Sequence, residues 1–176
     1  MHANQIASLE NNLTRLSQLI PDLPTSELLL VRLVRNLAQD LGTMLEQQVR
    51  PHGLGEGEFR VLSALYSQPQ GTAHPGDLCV RTTQSPANMS RITDALVEQA
   101  LITRLHSPDD RRKLVLSITD KGVQLVRRVL PEMFAPLRHL CGHLSAQDQQ
   151  RLIGQLKECL IRMEADSGGE GTEAGA

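Results

Sequence analysis

The stretch Ser85-Pro86-Ala87-Asn88-Met89-Ser90-Arg91-Ile92-Thr93-Asp94-Ala95-Leu96-Val97-Glu98 decides the fold. Ser85 suits a helix N-cap, because its hydroxyl can accept a bond from an otherwise orphaned backbone N–H in the first turn. Pro86 follows at the first helical position, where its missing N–H costs nothing. Met89, Ile92 and Leu96 then recur at helical spacing and define a buried face. Asn88, Ser90, Arg91, Asp94 and Glu98 lie off that stripe and face outward.

Working upstream, Pro75 suits another helix start, and Leu78, Cys79 and Val80 give it a short apolar patch that Thr82, Thr83 and Gln84 break. Two helices joined by a short turn, the second polar at its exposed start, form a helix-turn-helix. A helix over roughly Gly57 to Ser67 precedes it, with Phe59, Leu62, Leu65 and Tyr66 on one face, and Gln68 to His74 reads as a turn. Downstream of Ala100 the period changes. Leu101 to His106 reads as one strand, Ser107 to Asp110 as a turn, and Leu114, Leu116 and Ile118 alternate with Val115, Ser117 and Thr119 as a second strand. The hairpin carries Arg111, Arg112 and Lys113 at or near its tip.

Helices flank this lobe. From Asn4 to Ile20, the residues Ile6, Leu9, Leu13, Leu16 and Ile20 make a narrow seam suited to a partner helix, ended by Pro21 and Pro24. A second helix starts near Thr25, with Glu27 where the helix dipole favours an anion, and runs through Leu45 to a stop at Pro51 and Gly53. From Asp120, a long seam through Gly122, Val126, Val129, Met133, Leu137, Leu140 and Leu144 predicts one helix bent by Pro131 and Pro136. A last helix begins near Ser145, carries Leu152, Leu156, Leu160 and Met163, and ends before Ser167. The predicted organisation is therefore N-terminal helices over 1–50, a winged helix-turn-helix lobe over 54–119, C-terminal helices over 120–166 and a disordered Gly-, Glu- and Ala-rich tail over 167–176. The fold class is mainly α with a small β wing.

Composition bounds the function. The chain has 176 residues, which is one domain by length, and no Trp, one Tyr and two Phe, so its core is aliphatic. That scarcity weakens readings built on base-stacking platforms. Net charge is only -2, but Arg81, Arg91, Arg104, Arg111, Arg112 and Lys113 outnumber the acids between them, while the tail is acidic. Cys79, Cys141 and Cys159 have no zinc-like spacing and fit reduced thiols in a cytoplasmic protein, buried and structural by default. No signal pattern or membrane-length apolar run is present, so no membrane partner is expected. No Ser/His/Asp or Cys/His arrangement sits on a Gly-rich loop, which argues against an enzyme.

On duplex DNA, the second helix of such a motif enters the major groove and presents its first turns to base edges. Here those positions are Ser85, Pro86, Ala87, Asn88, Ser90 and Arg91. Asn reads adenine, Arg reads guanine or holds a phosphate, and Ser serves either. Arg111 or Arg112 can enter a narrow minor groove beside it, with Asp109 or Asp110 holding one Arg in place and Lys113 adjacent. Taken alone, a Ser-Pro start with an aliphatic stripe also occurs on ordinary core helices, and a charge run such as Asp109 to Lys113 on ordinary solvated turns.

Ala87 to Glu98, then Leu101-Ile102-Thr103-Arg104, then Ser107-Pro108-Asp109-Asp110-Arg111-Arg112, then Leu116-Ser117-Ile118-Thr119-Asp120-Lys121-Gly122, closely resemble MarR-family regulators in order and spacing. The resemblance covers roughly Leu28 to Met163. It departs from the family pattern at Ala100, where Gly is usual. A left-handed conformation there would cost Ala about 1 kcal/mol relative to Gly, unless the turn is reshaped. The extra N-terminal helix is also longer than in many members. The resemblance implies a winged helix-turn-helix with N- and C-terminal dimerisation helices, a homodimer on double-stranded operator DNA, and no cofactor. The apolar seams agree with a dimer, although closure within one chain as a bundle satisfies the same pattern.

The resemblance also implies release of DNA by a small aromatic carboxylate or phenolic effector. Its expected pocket is walled by Leu29, Leu33 and Asn36, by Phe59, Leu62 and Tyr66, and by Val129 and Met133, with Arg32, Asn36, Tyr66 and His106 as candidate polar anchors. Tyr66 reads equally well as a half-buried core residue. The chain is further similar to members that control nicotinate degradation, which implies a hydroxylated pyridine carboxylate such as a hydroxynicotinate. His139 and His143, four apart, are too few to assign a metal. A metal-responsive regulator and a helical protein-interaction module remain the alternative readings.

Overall fold

The computed structural model describes residues 2–106 and 114–168, with side chains described for 2–105 and 114–165. The chain divides into two compact units, one ending at Val129 and the other beginning at Leu130.

In the first unit, α1 (His2–Leu19) packs against α2 (Thr25–Val49). The N-terminal seam therefore closes within the chain at its centre: Leu13 is buried and Leu9 and Leu16 are half-buried, while Ile6 and Ile20 stay exposed. A 3-10 turn over Arg50–His52 follows, and Gly53 closes it at φ 76°. α3 (Glu56–Tyr66) is the hub of the lobe, burying Phe59, Val61, Leu62 and Leu65 among neighbours on α2, α4, α5, α6 and the sheet. Its first N–H groups are satisfied from two directions. Glu46 on α2 accepts from the Glu56 N–H at 2.6 Å, and Glu58 reaches back to the Gly55 N–H at 2.9 Å.

After α3 come β1 (Thr72–Ala73), α4 (Pro75–Thr82), α5 (Pro86–Glu98), β2 (Ile102–His106), β3 (Leu114–Ile118) and α6 (Asp120–Val129). The sheet is antiparallel in the order β1-β3-β2. The two expected strands pair antiparallel, with Ile102 facing Ile118 and His106 facing Leu114. β1 was not expected, because Gln68 to His74 reads as a turn in sequence. Gly71 makes the strand possible. It adopts φ 64°, its carbonyl accepts from the Ile118 N–H at 2.9 Å, and a Cβ there would lie 2.6 Å from Ile118 Cγ2. Two paired residues are too short a strand to leave a periodic signal.

The second unit corrects two expectations. The long bent helix from Asp120 is instead three pieces: α6 stops at Val129, a 3-10 turn covers Leu130–Met133, and α7 (Phe134–Cys141) starts afresh. Pro131 cannot donate an N–H, and its ring would strike a carbonyl four residues back, so the α-helix ends before it. Pro136 sits in the first turn of α7, where N–H groups need no helical partner. α8 (Ala146–Gly168) is capped by Ser145, whose Oγ accepts from the Asp148 N–H at 3.1 Å. It continues through Ser167 and Gly168, which the sequence reading assigns to a disordered tail. The remainder of that tail lies outside the described residues.

Candidate nucleic-acid interface

The turn between α4 and α5 is pinned by backbone bonds. Thr83 takes a left-handed conformation at φ 53°, its N–H donates to the Val80 carbonyl at 3.3 Å, and the Gln84 N–H donates to the Cys79 carbonyl at 2.9 Å. This paired closure is normally given to Gly, and a β-branched residue holds it under strain. Ser85 then caps α5 as expected, its Oγ accepting from the Asn88 N–H at 3.2 Å.

α5 buries Met89, Ile92, Thr93 and Leu96. Ser85, Pro86, Ala87, Ser90 and Arg91 are exposed and Asn88 is half-buried, so the six expected contact positions form one outward polar start to the helix. They are also linked. Arg91 donates to Asn88 Oδ1 from Nε at 3.2 Å and from Nη2 at 3.1 Å, and Asn88 Nδ2 donates to Gln84 Oε1. Gln84 carried no role in sequence, since its side chain meets Asn88 only once the turn has folded.

The wing is tied to this helix by Arg104 on β2. Its Nη2 donates to Thr93 Oγ1 at 2.9 Å and to Asp94 Oδ1 at 2.5 Å. In sequence Arg104 belongs to the strand motif, but its partners are not legible there. Opposite charges on two elements show their pairing only in three dimensions. The other expected contacts, Asp110, Arg111, Arg112 and Lys113, lie outside the described residues, as does the turn before them.

The base of the wing explains the Thr119-to-Gly122 motif. Thr119 Oγ1 donates to the Ala100 carbonyl at 2.9 Å and accepts from the Gly122 N–H at 3.1 Å, and the Thr119 N–H donates to the Leu101 carbonyl at 3.0 Å. Thr119 thus caps α6 and staples it to the start of β2. Gly122 is required because a Cβ would collide with the Leu101 carbonyl oxygen. Ala100 adopts the left-handed conformation, φ 57°, so the turn is not reshaped and Ala bears its cost.

The residues of the expected effector wall lie on α2, α3 and α6 of the first unit and, for Met133, on the second unit. Phe59, Leu62 and Val129 are fully inside the first unit's core, Leu29 and Leu33 are half-buried on α2, and Arg32 and Asn36 are exposed there. Tyr66 is half-buried, and its hydroxyl accepts from Arg127 Nε at 3.2 Å, a bond that raises the Arg127 pKa above its ordinary value. Met133 belongs to the second unit, and the His106 side chain lies outside the described set. A different groove, of about 550 Å3, opens beside α5 between Pro75, Cys79, Met89, Ser90, Arg104 and Leu114.

Cys141 and Cys159 are exposed rather than buried, and Cys79 is half-buried. His143 lies beyond the end of α7, so it does not share a helix face with His139. Among the described residues no group of three or more His, Cys, Asp or Glu side chains is placed to hold a metal ion, and no helix is long and apolar enough to cross a membrane.

A helix-turn-helix whose second helix ends against an antiparallel wing defines a winged helix-turn-helix protein. Residues 52–113 match the model of the MarR family. The chain is 32% identical over 143 residues to the transcriptional repressor MprA of Escherichia coli K12, covering 81% of each chain. Solved structures share the fold. AbsC, a MarR-family transcriptional regulator from Streptomyces coelicolor, superposes with a TM-score of 0.75 at 24% identity, over 83% of this chain and 99% of that one. A MarR variant from Escherichia coli complexed with operator DNA gives 0.69 at 23% identity, over 79% and 99%. BpsR of Bordetella bronchiseptica, whose DNA binding is regulated by 6-hydroxynicotinic acid, gives 0.66 at 23% identity, over 74% and 97%. The chain belongs to the MarR family of winged helix-turn-helix transcription regulators and is not an enzyme.

Proposed function

We propose that the protein is a cytoplasmic, homodimeric repressor that binds a pseudo-palindromic operator and is released from it by a small aromatic acid. The observation that carries the DNA-binding reading is the exposed start of α5, Ser85 to Arg91, standing on a helix whose opposite face is fully buried. A rigidly packed helix with a polar leading end can sit in a major groove without reorganising. In this reading Asp110 to Lys113 form a cationic wing tip at the minor groove. Two copies related by a two-fold axis read half-sites about one helical turn apart. Repression follows by similarity to MprA.

For the effector, the likeness to BpsR supports a hydroxynicotinate-like acid. The groove beside α5 supports the same chemistry. It is of the size that holds small ligands, and its wall includes the apolar Met89, Leu114 and Pro75 together with the cationic Arg104. A carboxylate there would compete with Asp94 for Arg104, and this supplies the state preference without which a ligand shifts nothing. The wall expected from sequence on α2 and α3, with Arg32, Asn36 and Tyr66 as anchors, is the rival site.

The test is a thermal-shift screen of small aromatic acids, followed by release of labelled operator. The expected result is that a hydroxypyridine or hydroxybenzene carboxylate both stabilises the protein and releases DNA, and that Arg104→Ala loses both effects. An acid that stabilises the protein but leaves DNA bound is a ligand and not an inducer. Retention of both effects in Arg104→Ala moves the site to the α2 and α3 wall.

A further inference from the structure

Gln84, the last residue of the helix-turn-helix turn before the Ser85 cap, stands at the inner end of a hydrogen-bonded chain that finishes at Arg91. Arg is a donor only, so the Asn88 atom that faces Arg91 must be Oδ1. That fixes the Asn88 amide with Nδ2 toward Gln84, which in turn must present Oε1. Each orientation in the chain is thereby determined by the next.

The inner end is held firmly. The Gln84 backbone is pinned by the bond to the Cys79 carbonyl, and its side chain is half-buried. The Gln84 side chain lies alongside Gly57 on α3. A Cβ on Gly57 would lie 3.8 Å from Gln84 Nε2 and 3.2 Å from Ile92 Cδ1. Exposure rises outward along the chain, from half-buried Gln84 and Asn88 to exposed Arg91.

The outer end has a directional consequence. Asn88 occupies the Nε and Nη2 side of the guanidinium, and Nη1 donates to no partner among the described residues. The Nη1 and Nη2 edge is therefore left available for end-on bidentate pairing with guanine O6 and N7. Asn88, with its carbonyl and one amide donor engaged, is not free for the paired contact that reads adenine.

We propose that Gln84 is a positioning residue for base recognition: through Asn88 it locks Arg91 in the orientation that reads a guanine in each half-site. This rests on the placement of α5 in the major groove proposed above. An unbraced Arg91 still meets phosphates, so the brace governs which base is preferred and leaves non-specific affinity alone.

The experiment selects preferred duplexes from a randomised library with the full wild-type chain. It then measures binding of variants to the preferred duplex, to its single-base-pair substitutions and to random duplex. The wild type is expected to prefer guanine at one symmetric position by roughly five- to hundredfold, and Arg91→Ala to abolish that preference. Gln84→Met, which keeps the bulk but removes the acceptor, is expected to reduce the preference at least threefold, with random-duplex affinity and the salt slope unchanged. Gln84→Glu keeps an acceptor for Asn88 and is expected to keep the preference while weakening all duplexes together, so it tests the brace even if Gln84→Met folds poorly. Full preference in Gln84→Met, or its loss in Gln84→Glu, overturns the brace. Full preference in Arg91→Ala, or no preferred duplex for the wild type, overturns the groove placement and the brace with it.

Discussion

Two small residues at the base of the wing show how far backbone geometry controls this lobe. Ala100 is left-handed at φ 57°, where its Cβ crowds the following carbonyl. Ala100→Gly relieves that contact but frees the unfolded chain, so a net gain of about 0.5–1 kcal/mol is expected in denaturant unfolding. Gly122 is the reverse case. A Cβ there meets the Leu101 carbonyl oxygen and Ile118 Cγ1, so Gly122→Ala is expected to cost about 2–3 kcal/mol and to lower the melting temperature clearly. A melting temperature unchanged by Gly122→Ala would show that α6 can move off β2. At this scale sequence was informative where a residue acts on its neighbours, as Ser85 does on Asn88. It was silent where the partner lies on another element, as with Tyr66 and Arg127, and where a local bond depends on the folded turn, as with Gln84 and Asn88.

Among elements, the apolar stripe of α5 and the alternation of β3 were legible because their periods are long enough to be distinctive. β1 was not, because pairing with β3 rather than its own sequence makes it a strand. The break after Val129 was half legible. Pro131 and Pro136 announced a disturbance, but a continuous apolar seam can thread separate helices as readily as a bent one. The tie between α5 and the wing through Arg104 was hidden because its partners lie on another element. Its loss is predicted to matter more for DNA than for folding. The Arg104–Asp94 pair is more than one-third exposed on both sides, so its net contribution to stability is under about 1 kcal/mol. Arg104→Ala is therefore expected to leave the melting temperature within a few degrees while weakening operator binding at least fivefold in fluorescence anisotropy. Thr119→Ala is its counterpart. It removes the α6 cap and the staple to Ala100, so a loss of about 1–2 kcal/mol in unfolding is expected.

For the whole molecule, the most telling surface is α8. Leu152, Ile153, Leu156, Leu160, Ile161 and Met163 are all between 41% and 68% exposed in the single chain. A 23-residue helix with that much uncovered aliphatic surface is expected to find a partner, and in the proposed dimer the partner is a second copy. Leu156→Glu is predicted to give monomers in sedimentation velocity and to lose tight operator binding. Leu13 belongs to another class. It is 3% exposed against α2, so Leu13→Glu is expected to loosen α1 within the chain and lower the melting temperature, not to dissociate a dimer. The central claim is that paired α5 helices read operator sequence. Competition anisotropy of the full chain at about 150 mM salt tests it most directly, with duplex selected from the randomised library set against random duplex. Affinity at least roughly a thousandfold higher for the selected duplex is predicted, and equal affinity for the two would contradict the account.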